Sequence, residues 1–484
     1  MKNEYKNYIQ RICFSSTKKQ PEKISLMVND FMKDEKVHEI YTSIVELETE
    51  IMKKWKIQTL VTAFKNNGIS TDNGTEKVPY IYTFPHNFLE KNNLIKMNCV
   101  DLDKFNLTYN QDTMTIEGTP EVKLDDFFTI EFLVDGEEAS EIKHQKQVKL
   151  LINPDPKSLW KDIPSDTNAL FWKEDDKSEA TKIGEKSIVV SSKRGRSHKN
   201  VGSFRDDDYA FKYFEDSEWT IVAVSDGAGS AKFSRKGSEI ACSETIKCFE
   251  NVAIKELELF EEEFNQFIDL KEGKQLEQAK ETAIKAIYKV AVHAHTEIEK
   301  IASETALESP KAFDKTKILN KADYFHATLI FIAFKKINNK YVFLSFGVGD
   351  CPIGIINKDR TEAKLLNWLD IGKYGGGTRF ITNREIFSSK ERPIVSRFNV
   401  YITEDFSFLF LMTDGIYDAK FIVEANLEKT EKWLEFIADL EGRNEDNVTL
   451  DFSRDLNQLE ENLNNWMDFW SKGNHDDRTL AIIF

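Results

Sequence analysis

The sequence predicts an α+β protein in three parts. A helical segment over 1–70 precedes an all-β part over 78–153. A linker over 154–183 then leads into a layered α+β domain over 184–484. Three observations carry this reading. Apolar residues recur every third or fourth position in the first part and every second position in the next. In the third part, apolar runs alternate with long helical faces.

In the first part, Ile40, Ile44, Leu47, Ile51 and Trp55 give a helix one apolar face. Gly68 and the polar run STDNGTEK end it. That face is expected to pack on the rest of the protein, with partner docking as the alternative. In the second part, Leu107 and Tyr109 alternate, Asn110-Gln111-Asp112 turns, and Met114 and Ile116 alternate. Gly118-Thr119-Pro120 turns again, and Phe128, Ile130 and Phe132 continue the pattern. Pro154, Pro156 and Pro164 mark the linker, because proline blocks regular pairing. In the third part, strands are expected at TIVAV (220–224), ATLIFIAF (327–334), YVFLSF (341–346), FLFLM (408–412) and LAIIF (480–484). Ile284, Ile287, Ala291, Ala294 and Ile298 mark one helix face. Leu456, Leu459, Leu463, Trp466 and Trp470 mark another. Helices grouped between strands argue for layers rather than a strict βαβ succession.

At 484 residues, two to four domains are expected. Acidic residues number 82 against 66 basic, a net charge of -16, so a nucleic-acid backbone is not an expected partner. No run approaches a membrane span, and MKNEYKNYIQRICFSS lacks the apolar core of a signal peptide, so the expected compartment is the cytoplasm. Cys13, Cys99, Cys242, Cys248 and Cys351 are scattered without a CxxC, which fits reduced thiols.

The informative feature is where the aspartates sit. Asp226-Gly227 and Asp414-Gly415 each end an apolar strand, and Asp350 ends a third. Asp476-Asp477 begin the last strand, and Asp206, Asp207 and Asp208 begin an early one. One Asp-Gly is ordinarily a turn. Several at strand ends, from segments far apart in sequence, converge if the strands pack side by side. Buried carboxylates without counter-charge are costly, and hard divalent cations compensate them.

The runs SHKNVGSFRDDDYAF, VAVSDGAGSAKFSRKGSEIA, HATLIFIAF, FGVGDCPIGII, LMTDGIYD and DDRTLAIIF together resemble the metal-dependent Ser/Thr protein phosphatases of the PPM type, the 2C class, and their bacterial subset in particular. The resemblance spans about 300 residues. It implies an α-β-β-α sandwich of two antiparallel sheets whose cleft binds two Mg²⁺ or Mn²⁺ ions. By resemblance, Asp226 bridges the ions and the Gly227 carbonyl binds one. Asp414 and Asp476 complete the second, Asp207 stands near the first, and Asp350 matches a third, weaker metal site. The β part resembles bacterial immunoglobulin-like repeats, which implies a binding or spacer sandwich.

Three departures matter. Gly202 stands where many members carry a phosphate-gripping arginine, so Arg196 or Arg205 is expected to serve, Arg196 first. Ala228 replaces a histidine of animal members, so a metal-bound water or another group must protonate the leaving oxygen; His198 is a candidate, with a structural hydrogen-bonding role expected first. Cys351-Pro352 replaces the usual pair after Asp350. Gly375, Gly376 and Gly377, beside Arg379, are expected to give mobility where the family carries a variable flap. The resemblance implies hydrolysis of phosphoserine or phosphothreonine in proteins by metal-activated water. Asp226, Asp414 and Asp476 form the catalytic set, and a cognate Ser/Thr kinase is the opposing partner. A phosphatase-fold scaffold with little turnover is the alternative, motivated by Gly202 and Ala228.

Overall fold

The computed structural model describes residues 2–16, 21–138, 144–270, 273–313, 320–370, 377–390, 392–471 and 473–484. The chain divides into two units, Met1–Leu159 and Trp160–Phe484. Gly375 and Gly376 lie outside the described residues, as does most of the segment expected to be mobile.

In the first unit, helices Lys2–Ser16, Pro21–Phe31 and Glu35–Asn66 meet around Tyr5, Ile9 and Val28. The Asp34 carboxylate caps the longest helix by accepting from the Lys36 N–H at 2.9 Å. Among the described residues seven strands follow: β1 (Gly74–Thr75), β2 (Tyr80–Thr83), β3 (Leu94–Val100), β4 (Leu107–Asn110), β5 (Thr115–Gly118), β6 (Leu124–Val134) and β7 (His144–Asn153). They form a four-stranded sheet, β1-β7-β6-β3, and a three-stranded sheet, β2-β5-β4. The alternating residues do what their period requires. Leu107, Ile116, Phe128, Ile130 and Phe132 are all buried in one core. The long helix departs from expectation. It packs on this core through Ile57, Leu60, Val61 and Phe64, while Ile40, Leu47, Ile51 and Trp55 stay exposed.

Among the described residues the second unit has eleven strands: β8 (Asp176–Ile183), β9 (Lys186–Lys193), β10 (Asp208–Phe214), β11 (Trp219–Ser225), β12 (Leu329–Ile337), β13 (Lys340–Val348), β14 (Ile353–Asn357), β15 (Ala363–Leu365), β16 (Phe398–Thr403), β17 (Phe406–Met412) and β18 (Arg478–Ile483). One sheet runs β10-β11-β12-β13-β16 and the other β15-β14-β17-β18-β9-β8, with antiparallel pairing throughout.

Period-two alternation builds the layers. In β11, Trp219, Ile221 and Ala223 face helices Ser234–Cys248, Ile254–Leu270 and Gly273–Glu308. Val222 and Val224 face the other sheet. In β17, Phe408 and Phe410 face helices Asp414–Phe421, Thr430–Leu440 and Leu456–Trp466, while Leu409 and Leu411 face inward. Strands covered on both faces must be apolar on both, which is why they read as continuous runs. Each such side chain contributes on the order of 1.5–3 kcal/mol when fully buried.

Two stretches of the second unit depart from the sequence expectation. Residues 176–183, read as the end of a linker, form β8 and pair with β9 along their whole length. Its sequence, DKSEATKI, is an edge strand with a mostly polar face, so a search for apolar runs passes over it. Trp470 lies beyond the helix that ends at Trp466 and packs instead against His475. Among the described residues, no helix is long and apolar enough to cross a membrane.

Candidate metal centre

Antiparallel register gathers the carboxylates. Asp208, which opens β10, pairs with Ser225, which closes β11. Val224 pairs with Ile330, and Leu329 with Val348. Asp207, Asp226 and Asp350 therefore lie at one end of the five-stranded sheet. In the second sheet Met412 pairs with Leu480, which sets Asp414 and Asp476 at one end as well. Hydroxyls tie the two ends together. Thr413 Oγ1 donates to Asp207 Oδ2 at 2.8 Å, and Thr479 Oγ1 lies 2.9 Å from the same oxygen.

The result is a cluster of like charges. Burial, then the charges of Asp414, Asp207, Asp350 and Asp476, raises the Asp226 carboxyl well above its usual range. Burial and Asp476, Asp350 and Asp207 do the same to Asp414. Burial and Asp477 push Asp207 up to about 7, and burial and Asp477 also raise Asp476. Asp350 is raised by burial, although its Oδ2 accepts from Thr378 Oγ1 at 2.8 Å. Its other oxygen is buried with no partner, as is Asp206 Oδ1. Ligand atoms of Asp226, Asp350 and Cys351 lie within 4.8 Å of one another. Burial raises the Cys351 thiol well above its usual range, so its thiolate is disfavoured and the donors on offer are oxygens. An all-oxygen carboxylate set with orphaned buried oxygens fits hard divalent cations. Asp226, Asp207, Asp414, Asp476 and Asp350 are the residues that would hold them.

Gly227 follows Asp226 where the chain bridges to Ala327. A Cβ there would sit 2.5 Å from the Asp206 carbonyl oxygen, so only glycine fits the approach.

Both expected arginines are spent on protein groups. Arg205 is buried; its guanidinium donates to the Glu174 and Asp207 carbonyls at 3.1 and 2.7 Å and to Ser192 Oγ at 2.7 Å. That placement corrects its assignment to phosphate: the residue supports the loop that carries Asp207. Arg196 donates to the Phe469 and Asp468 carbonyls at 2.8 and 2.5 Å and lies over Trp470.

The partners of three further residues, Asp208, Asp477 and His198, leave no trace in the sequence pattern. Asp208 is turned away from the cluster and meets Lys173 and Lys177, each at 3.0 Å. Burial opposes its charge, but Lys173, Arg205 and Lys177 hold it well below the usual carboxylate range. Asp477 accepts from the Gly195 and Asp206 N–H groups at 2.6 and 2.5 Å, and its Oδ1 lies 2.9 Å from His198 Nδ1. Burial alone would lower the histidine. Asp477, Asp206 and Asp476 outweigh it and raise His198 to about 10, so it is a cation at neutral pH. The other ring nitrogen lies 4.0 Å from Asp206 Oδ2.

Residues 194–468, more than half of the chain, match the family model for protein phosphatase 2C. The chain belongs to the protein phosphatase 2C family.

Solved structures of similar proteins include the serine/threonine phosphatase Stp1 from Staphylococcus aureus, 14% identical, covering 66% of this chain and 98% of its own, with a TM-score of 0.34. The serine/threonine phosphatase of S. agalactiae is 14% identical and covers 61% of this chain and 98% of its own, with a TM-score of 0.32. The serine-threonine phosphatase 2C from Toxoplasma gondii is 10% identical and covers 64% of this chain and 98% of its own, with a TM-score of 0.37. No curated protein matches the chain. Within this protein phosphatase 2C domain, the family's use of metal ions has candidate acidic sites to meet it.

Proposed function

We propose that this protein hydrolyses phosphoserine and phosphothreonine in proteins. The observation that carries the reading is the convergence of Asp226, Asp207, Asp414, Asp476 and Asp350, whose carboxyls all lie above their usual range with no protein cation paired to Asp226 or Asp414 among the described residues. In this reading Asp226 and the Gly227 carbonyl would hold a first ion, and Asp226, Asp414 and Asp476 would hold a second. Asp207 stands beside the first, and Asp350 belongs to a third, weaker site. Two divalent cations, Mg²⁺ or Mn²⁺, supply a nucleophile from water near neutral pH and neutralise phosphoryl charge when bound.

The chain's own residues do the rest. Thr413 and Thr479 fix the Asp207 carboxylate, so it keeps one orientation. His198, held as a cation by Asp477, is placed to keep a proton at Nε2 beside the cluster. It supplies positive charge where Arg205, bonded to Ser192 and two carbonyls, cannot reach. The buried Cys351 thiol takes no part as a nucleophile. The β-rich part of the first unit, read as immunoglobulin-like, would bind the phosphoprotein, a cognate kinase or the phosphatase domain.

Phosphate release from a phosphothreonine peptide tests this. With Mn²⁺ the chain should turn over peptide, and a chelator should abolish it. Turnover no higher than background at saturating Mn²⁺ favours the scaffold reading and sinks the catalytic one.

A further inference from the structure

The long helix Glu35–Asn66 carries an apolar face that no described residue of its own unit covers. Ile40 and Leu47 are 60% exposed, Ile51 is 65% and Trp55 66%, with Ile44 partly covered between them. At 3.6 residues per turn these five fall within an arc of roughly 80°. The residues that anchor the helix to its own sheet, Ile57, Leu60, Val61 and Phe64, point roughly 130° away on the same count. The exposed face is therefore not the anchoring face slightly displaced. A monomer rarely leaves so large an apolar strip in water without a use for it.

We propose that this face docks against the same face of a second copy of the chain, with the two helices antiparallel. Three features select that occupant. The strip is nearly symmetric about Leu47, with Ile40 seven residues before it and Trp55 eight after. An antiparallel pair centred there sets Ile40 against the partner's Trp55 and Ile44 against the partner's Ile51. Charge is also divided along the helix. Glu35, Glu39, Glu46, Glu48 and Glu50 lie in the first half against Lys36 alone, and Lys53, Lys54, Lys56 and Lys65 lie in the second with no acidic residue. Antiparallel pairing lays each acidic half on a basic half, whereas parallel pairing stacks like on like. The helix dipoles oppose in the same arrangement.

The area is also sufficient. The four exposed side chains offer on the order of 550 Å² per copy, against about 800 Å² per partner in a standard interface. Met52, 62% exposed, and the stems of the flanking glutamates and lysines supply the remainder. The existing pairs Lys54–Glu50 at 3.7 Å and Lys56–Asp135 at 2.9 Å are exposed and therefore weak, so they do not hold the lysines back.

Sedimentation velocity of the full chain at micromolar concentration tests the proposal. The wild type should sediment at twice the chain mass. Leu47→Glu with Ile51→Glu should weaken association at least about tenfold, with helix content and phosphatase turnover unchanged. For orientation, an Ile40→Cys chain mixed with a Trp55→Cys chain should cross-link on oxidation, and neither should cross-link alone above the wild-type level. A monomeric wild type, as when the strip is covered by the chain's own second unit, overturns the proposal. So does a dimer indifferent to the glutamates, or an Ile40→Cys chain that cross-links to itself.

Discussion

Asp207 joins the two sheets at the candidate centre, where burial and Asp477 raise its carboxyl. With no cation present, its folded value of about 7 stands above the ordinary 3.8. The folded chain therefore keeps a proton that the unfolded chain has released. That contribution to stability is complete below about pH 4 and is lost as pH rises through about 7. Asp206, raised by burial and Asp477 to about 7, acts in the same direction. His198, raised to about 10, loses its contribution only at higher pH. In chelator, the urea midpoint should be higher at pH 5 than at pH 8, and Asp207→Asn should flatten the difference. A midpoint that is equal or higher at pH 8 contradicts the charge assignment. At this scale the aspartates were legible, because a carboxylate after an apolar strand leaves a pattern. The groups that orient them were not. Lys173 reaches Asp208 from a segment with no periodicity, and Arg205 and Arg196 look alike in sequence until their donors are traced to carbonyls.

Strands were the most legible elements and their ends the most informative. The runs around 220–224, 408–412 and 480–484 lie within or overlap β11, β17 and β18, because sheets buried on both faces demand uninterrupted apolar sequence. Polar edge strands such as β8 leave no such signal. The start of helix Asp414–Phe421 shows how tightly element ends are fitted. A Cβ on Gly415 would lie 1.9 Å from the Asp477 carbonyl oxygen, a backbone atom that cannot rotate aside. Gly415→Ala should therefore part Asp414 from the Asp476–Asp477 loop. A displacement near 1 Å costs catalysis about 100-fold. Turnover should fall that far while the circular-dichroism spectrum is kept. Wild-type turnover in this variant means the two ends need not touch.

For the whole molecule, the prolines suggested a linker to residue 183, but the second unit begins at Trp160. Arg194 donates to Asp162 and to the Ile163 carbonyl, each at 3.1 Å, and Ser165 bonds Asp175 at 3.1 Å. A chain of residues 160–484 should fold alone, and one starting at 170 should unfold at lower urea. Equal midpoints contradict the placement of 160–169 in this core. In the proposed function, five carboxylates from two sheets form one divalent-cation centre. Calorimetric titration of Mn²⁺ into the chelator-treated full chain tests it most directly. Saturable binding of at least two ions, reduced by Asp226→Asn while the fold is kept, is the predicted result. Binding that is absent, or that is unchanged in the Asp226→Asn chain, would contradict it.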